Sequence, residues 1–372
     1  MEKKYDQTLL ITTILLFMIG MIMVYSSSWP VSIAEGQSAN YISLRQFIFG
    51  MIGIAVMLIL MVVPYYKFNN GKVAGFIYFA SLGAVALVHS PLGVTVNYAT
   101  RWIEVLGIRF MPSDLLKFGT IFICAYYINE NKNYIHKFSR GFVPMLFFAA
   151  LSGILVYSQP DLSTAMVIMG SVILMFLVAG IKLKYFSLSV LLMGIFGFVA
   201  IFFSNSAYSR ISRLLAFTDP LAHREDEAWQ LVQSLFAVSS GRFLGVGIGK
   251  SSQKYFYLSQ GHSDFIFAIL AEELGFVGAM LVIILFLILI YRGLAIGMKC
   301  KDIFGRYMAF GITFTIGLQA FLNIAVVIGM VPPTGITLPF ISQGGTSLVF
   351  FLALVGILQN IYMTTNNKER LK

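Results

Sequence analysis

The chain has 372 residues, 58% of them hydrophobic and 11% charged, with 34 Phe and a mean hydropathy of +0.83. Soluble domains carry about 25% charged residues, so this composition excludes an ordinary globular enzyme and identifies a polytopic membrane protein. The net charge of +10 is distributed as a membrane topology requires rather than as a nucleic-acid surface, and the two cysteines, Cys124 and Cys300, make neither a disulfide framework nor a metal site.

Crossing about 30 Å of hydrocarbon takes about 20 apolar residues in a helix. Runs of that kind fall near 8–25, 45–63, 73–90, 115–129, 142–158, 162–180, 186–203, 264–291, 307–330 and 346–365. The first follows Lys3 and Lys4 but lacks a small-residue cleavage site, so it is expected to be a retained helix rather than a signal peptide. The expected fold is all-α, a single membrane domain over 1–372 with ten transmembrane helices. Of 26 Lys and Arg, 16 fall on the side that holds both ends of the chain, 4 on the other side and 6 in the long 204–263 segment. Positive residues mark the cytoplasmic side. Both termini are therefore expected in the cytoplasm, with a large extracellular loop at 204–263 between helices 7 and 8.

The unusual sequence collects on the outer side. In Asn97–Lys117, EVLGIRF reads as a turn or short hairpin and Pro112 as a helix start, with Ser113 and Asp114 as capping residues. Asp114 and Lys117, three apart, share a helix face and suit a structural ion pair. Together with Arg101 and Trp102 they equally suit a sugar pyrophosphate, with cations for phosphate and an indole for a sugar ring or the lipid interface. Gln159-Pro160-Asp161 reads as an interhelical turn with Asp161 as cap. In the long loop Arg210 and Arg213 are three apart, as in an amphipathic interfacial helix. GRFLGVGIG at 241–249 lacks the strand–helix context of a nucleotide loop. The Pro/Gly-rich 331–345 puts non-helical backbone at membrane depth, which is tolerated when it is buried or lines a cavity.

The stretch with most chemistry is Gln253–Gly278, a polar, aromatic loop turning into an apolar run, with His262, Ser263 and Asp264 at the change. Asp264 suits a helix N-cap and equally a general base held at the outer interface. Glu272 and Glu273 lie further into the same run, where at least one must face the bundle and find a partner.

These stretches resemble the SEDS proteins (shape, elongation, division and sporulation), the family of FtsW, RodA and SpoVE. The resemblance rests on MVYSSS at 23–28, RW at 101–102, MPSDLLK at 111–117, QPDLSTA at 159–165, GVGIGKSSQKYFYL at 245–258, HSDFIFAILAEELGFVGA at 262–279 and NIAVVIGMVPPTGITLPFISQGGTSL at 323–348. The wording of MIMVYSSS, RGFVP and GITLPF is closer to FtsW and SpoVE than to RodA. The chain departs from the family at Asp114, where Glu is usual, at Ser259-Gln260-Gly261, where Pro-Glu precedes the His, and at Gln343, where Tyr is usual.

The resemblance implies a peptidoglycan glycosyltransferase of the bacterial cytoplasmic membrane that polymerises lipid II at its outer face, for division, sporulation or cell shape. It implies work alongside a class B penicillin-binding protein and other divisome or elongasome membrane proteins. The family's essential acid falls on Asp264, and its Pro-Ser-Glu-x-x-Lys motif on Pro112, Ser113, Asp114 and Lys117. An inverting displacement then needs one base, Asp264, and a cationic cradle of Lys117, Arg101 and Arg210 or Arg213. His262, Ser263, Asp114 and Trp102 are the neighbouring binding candidates. No cofactor is required outright, although a divalent cation (Mg or Mn) at Asp264 or Asp114 could share the load. A lipid II flippase and a scaffold without activity that serves the penicillin-binding protein are the competing readings.

Overall fold

The computed structural model describes residues 5–96, 99–105, 107–203, 207–220 and 228–370. Its helices are α1 (Gln7–Ala34), α2 (Tyr41–Val62), α3 (Gly71–Ala86), α4 (Pro112–Glu130), α5 (Val143–Tyr157), α6 (Leu162–Val178), α7 (Leu183–Phe202), α8 (Ala207–Thr218), α9 (Trp229–Ser240), α10 (Ile266–Lys299), α11 (Ile303–Val327) and α12 (Thr346–Arg370). Each of the ten apolar runs falls on a helix, while α8 and α9 lie within the 204–263 segment. Among the described residues, eight helices are long and apolar enough to cross a membrane. The protein is a helical, multi-pass membrane protein.

The expectation of an all-α chain needs one correction. A three-stranded antiparallel sheet joins α3 to α4: β1 (Gly93–Val96), β2 (Ala99–Val105) and β3 (Ile108–Phe110), with β2 central. The β2–β3 hairpin is the one EVLGIRF announces. The strand β1 is too short to show an alternation of its own.

Local chemistry sets the helix starts. Asp6 accepts from Leu9 N at 2.9 Å, Asp161 from Thr164 N at 3.0 Å and Asp302 from Gly305 N at 2.9 Å, each meeting a donor the first turn leaves orphaned. Pro112 opens α4 at a position where its missing N–H costs nothing. Three expected capping residues do not cap. Ser113 and Asp114 make no capping bond, because the N-cap of α4 is Met111. Asp264 lies outside α10, whose N-cap is Phe265 without a side-chain cap.

The bundle is apolar outside and selectively polar inside, as a lipid solvent demands. Phe47, Ile48, Met51 and Ile52 on α2 face outward, while Gln46 of the same helix is buried. Helix α12 packs along α2, α10 against α11 and α1, and α11 also against α4 and α6. Near one end, Asp6 is paired with Arg292 and its backbone is held by Gln359, which accepts from Asp6 N at 2.9 Å and donates to Asp6 O at 2.8 Å.

Helix α10 is broken at Gly275, which has φ 67° and ψ −168°, a conformation that costs glycine little and other residues much. The carbonyls and amides freed by the break are taken up by the glycine loop after α9. Val246 N and Gly247 N each donate at 3.0 Å to Glu272 O and Glu273 O, and Phe276 N donates to Arg242 O at 2.9 Å. A Cβ on Gly275 would stand 2.2 Å from Gly245 N, so the two backbones touch. GRFLGVGIG is therefore a docking loop.

Candidate functional site

Five segments converge at the end of the bundle opposite Asp6. They are β2, the starts of α4 and α6, the stretch 262–264 before α10, and the non-helical run after α11. Arg101 on β2 donates to Gln159 O at 3.4 Å and to Pro160 O. That places its guanidinium over the turn that Asp161 caps. Gly335 (φ +72°) lies alongside: a Cβ there would be 3.5 Å from Oδ2 of Asp264 and 3.8 Å from Nη1 of Arg101. The carboxylate and the guanidinium thus face each other across a residue that has no side chain.

The backbone around Asp264 is fixed by a polar lattice. Asn323 of α11 donates to Asp264 O at 2.7 Å and to Ile336 O at 2.6 Å. Ser342 Oγ donates to Ser263 O at 2.7 Å, and Gln343 N to His262 O at 3.0 Å. Gln46 reaches in from α2 to donate to Ser342 O at 3.1 Å, and Ser163 of α6 donates to Thr334 O at 2.9 Å. The second part of the Pro/Gly-rich segment is largely buried between helices, through Ile336, Leu338, Phe340, Ile341 and Ser342. Its Phe340 is buried at φ 65°, a strained conformation that persists only where surroundings over-determine it.

One helical turn away, about 6 Å along α11, Gln319 serves a second cluster. Lys117 pairs with Asp114 at 2.6 Å with both side chains nearly inaccessible, and donates to Gln319 Oε1 at 2.8 Å. Gln319 donates on to Thr337 O at 3.0 Å. The expected ion pair is present, and Lys117 is buried in the bundle.

The electrostatics set Asp264 apart. Removal from water pushes its carboxyl up, Arg101 pulls it down and Asp161 pushes it up, leaving it at about 6. His262 is pushed down by desolvation and is therefore neutral near pH 7. Several buried polar atoms around the two clusters lack an intramolecular partner: Ser113 Oγ, Asp114 Oδ2, Gln159 Oε1, Asn323 Oδ1 and Thr334 Oγ1. Such atoms are rare in folded proteins, and here they surround the charged groups, as in a site built for a polar ligand. Among the described residues no group of three or more His, Cys, Asp or Glu could hold a metal ion.

The candidates thus divide. Arg101, Asp264, Asp114 and Lys117 gather around α11, with His262 and Ser263 held by their backbones. The Ser263 hydroxyl is spent locally on Gln260 Oε1 at 2.8 Å. Trp102, paired with Val94, follows Arg101 on β2, so strand alternation sends it to the opposite sheet face. The side chains of Arg210 and Arg213, on α8, lie outside the described residues. Gln319, Asn323 and Ser342 escaped the sequence reading. The signal for the first two was there, two amides four apart in an apolar helix.

Glu272 and Glu273 prove to be structural supports. Ser252 N and Oγ each donate to Glu272 at 2.9 Å. Glu273 accepts from Ser26 of α1 at 2.7 Å and pairs with Lys254 at 3.1 Å, with both side chains of the pair fully buried.

The model of the family described as Cell cycle protein, named for FtsW, RodA and SpoVE, matches residues 6–367. Stage V sporulation protein E of Bacillus subtilis is 38% identical over 357 residues, covering 96% of each chain. A probable peptidoglycan glycosyltransferase FtsW of Geobacter sp. strain M18 is 35% identical, again over 96% of each. A chain from a peptidoglycan synthase complex that coordinates polymerization and crosslinking has the same fold, with a TM-score of 0.78 at 23% identity over 97% of this chain and 98% of that one. The rod shape determining protein RodA of Thermus thermophilus gives 0.69 at 22% identity, over 96% of each chain.

Proposed function

We propose, from the fact that the chain belongs to the SEDS family and stands on its FtsW/SpoVE side, that it is a peptidoglycan glycosyltransferase that polymerises lipid II at the outer face of the cytoplasmic membrane. The observation that carries the reading is Asp264 facing Arg101 across Gly335, its backbone held by Asn323 one helical turn along α11 from Gln319, which holds Lys117 of the Lys117–Asp114 pair. Ten membrane crossings with both termini cytoplasmic complete the topology, the short α6 and the more polar α4 joining the eight long apolar helices. The end of the bundle that carries Asp264 then faces outward.

The chemistry follows from the groups present. The donor sugar is held through an α-linked diphosphate, already a good leaving group that needs charge neutralisation more than a proton. The acceptor's 4-hydroxyl gives its proton to the carboxylate of Asp264 as its oxygen bonds to the donor C1. The C1–O bond to the diphosphate breaks on the opposite face, and the product is β-linked. A base with a pKa just below the working pH is ionised yet still basic, the condition under which general-base catalysis is most effective. Arg101 and Lys117 supply the positive charge facing the diphosphate. A relative of the same fold belongs to a synthase complex that coordinates polymerization with crosslinking. That supports a crosslinking partner for this chain, which we assign to a class B penicillin-binding protein.

The test is lipid II polymerisation by purified protein in detergent with the partner present, with and without chelator. Asp264→Asn, folded as judged by its melting curve, is expected to lose about 10²–10⁴ in rate. Wild-type polymerisation by that variant would remove Asp264 from the mechanism. If neither wild-type chain nor complex polymerises in detergent, where there is no membrane to cross, the glycosyltransferase reading falls to the flippase or the scaffold.

A further inference from the structure

We propose that the loop 242–250 is a lipid-inserted wedge that sets the height of the Asp264 site above the bilayer. Phe243, Leu244 and Ile248 are 66%, 75% and 58% exposed, although they belong to a loop and not to a membrane-spanning helix. Their surroundings identify what covers them. The ring of Phe243 stacks on Phe276 with centroids 6.0 Å apart. Phe276 and Val277 begin the outward apolar stripe of α10 that continues through Leu281, Ile284 and Leu287. The exposed surface of the loop is thus continuous with the face that α10 turns to lipid.

Depth agrees with this. Phe276 lies about 22 Å along α10 from Tyr291 and about 35 Å from Lys299, which brackets the roughly 30 Å hydrocarbon thickness. The loop is therefore level with the leaflet boundary at the Asp264 end. Exposed Arg242 and Lys250 close the loop at its two ends. Cations flanking apolar tips match phosphodiester headgroups over acyl chains.

The loop is also rigidly tied to the site. Its amides bond the broken ladder of α10 at Glu272 and Glu273. Lys254 donates back to Gly249 O at 2.6 Å while paired with Glu273. The segment that follows leads to Asp264 and into the buried half of α10, Ile266–Glu273. A loop seated in the leaflet through these bonds carries Asp264 at a fixed height over the membrane, within reach of a substrate anchored by its lipid.

The wedge rests on the membrane-spanning fold alone, and its effect on height rests on the glycosyltransferase reading. Leu244→Cys can be labelled selectively with a small fluorophore because Cys124 and Cys300 are 0% and 1% exposed. The full chain is reconstituted in vesicles of phosphatidylethanolamine and phosphatidylglycerol with acyl-brominated lipid as quencher. Quenching at 244 should approach that of Leu281→Cys on the lipid face and exceed severalfold that of Gln37→Cys in the exposed loop after α1. Quenching no greater than at position 37 overturns the wedge. So does a label shielded only after the crosslinking partner is added, which would make the face a protein interface.

A second arm tests the height. Phe243→Glu with Leu244→Glu should lose severalfold more polymerisation in vesicles than in detergent. An equal loss in both media overturns that part, whereas quenching is read without any activity.

Discussion

Replacing Arg101 by Gln should shift the acid limb of the pH–rate profile to higher pH. Asp264 is held at about 6 by desolvation, Arg101 and Asp161 acting together. Its carboxylate and the guanidinium lie 3.5 and 3.8 Å from one point, the Cβ position of Gly335, and are therefore no more than about 7 Å apart. Two unit charges at that separation and an effective dielectric of about 20 interact by roughly 2 kcal/mol, less than two pH units. Arg101 is half-exposed, and water and salt screen it, so a displacement of about one pH unit is expected. The sign follows because the cation favours the carboxylate form: without it the pKa rises, and the base is lost to protonation at higher pH. The assay is kcat/KM for lipid II polymerisation against pH, which reports the free enzyme's groups. The position of the limb is read rather than its height, since Arg101 also faces the donor. Asp161→Asn supplies the opposite sign. Asn caps a helix as well as Asp, and removing the neighbouring negative charge should move the limb below about 6. Limbs that coincide with wild type in both variants would refute Asp264 as the titrating base.

Other outcomes follow from the packing. Lys117→Met leaves Asp114 charged and buried, which costs about 3–5 kcal/mol and should lower the melting temperature. The double variant Asp114→Asn, Lys117→Met should recover stability while still failing to bind lipid II, and lipid II binding at wild-type affinity by it would remove Lys117 from the donor site. Gly275→Ala should prevent accumulation of folded protein, because its Cβ would stand 2.2 Å from Gly245 N. Gly249→Ala, also at positive φ but with nothing within 4 Å, should lose only about 1 kcal/mol. Similar melting curves for the two variants would show that the break in α10 does not require glycine.

The helices were legible because lipid-spanning runs are long and apolar, and all ten runs recur as helices. The pairings of Asp114 with Lys117 and of Glu273 with a cation were legible for the same reason, since a charge at membrane depth has few alternatives. What sequence did not reveal was where helices stop being helical. Gly275 sits in LAEELGFVG with nothing to distinguish it from an ordinary helix glycine, because the partner that breaks the ladder is the loop thirty residues earlier. Asp264 read as a helix start by type and position. Its surroundings are set by Arg101, Asp161 and Gly335, which come from three separate elements. Asn323 and Gln319 were hidden in an apolar run because their partners lie in the irregular segment that follows α11.

That irregular backbone explains why the site stands where it does. A regular helix satisfies its own amides and carbonyls and has none to offer a neighbour. Among the described residues at this end, the break at Gly275 and the run 331–345 are stretches where the backbone is not regular. Each is stabilised by groups from elsewhere: the glycine loop for the first, and Asn323, Gln319, Ser163 and Gln46 for the second. The same amides that satisfy the run 331–345 hold the backbone of Asp264 and the ammonium of Lys117. A carboxylate held near 6 and an ammonium buried with its carboxylate partner are costly guests in an apolar bundle, and the surrounding hydrogen bonds keep either from turning away. Loosening that lattice at Asn323, whose amide bonds both Asp264 O and Ile336 O, should therefore impair polymerisation more than it lowers stability. Asn323→Leu leaves the Asp264 and Ile336 carbonyls without their donor, which should lower its stability by about 1–3 kcal/mol per carbonyl, yet well below its melting temperature it is expected to polymerise at least tenfold more slowly than this loss accounts for. A variant that loses stability in proportion to activity would mean that the lattice only holds the fold.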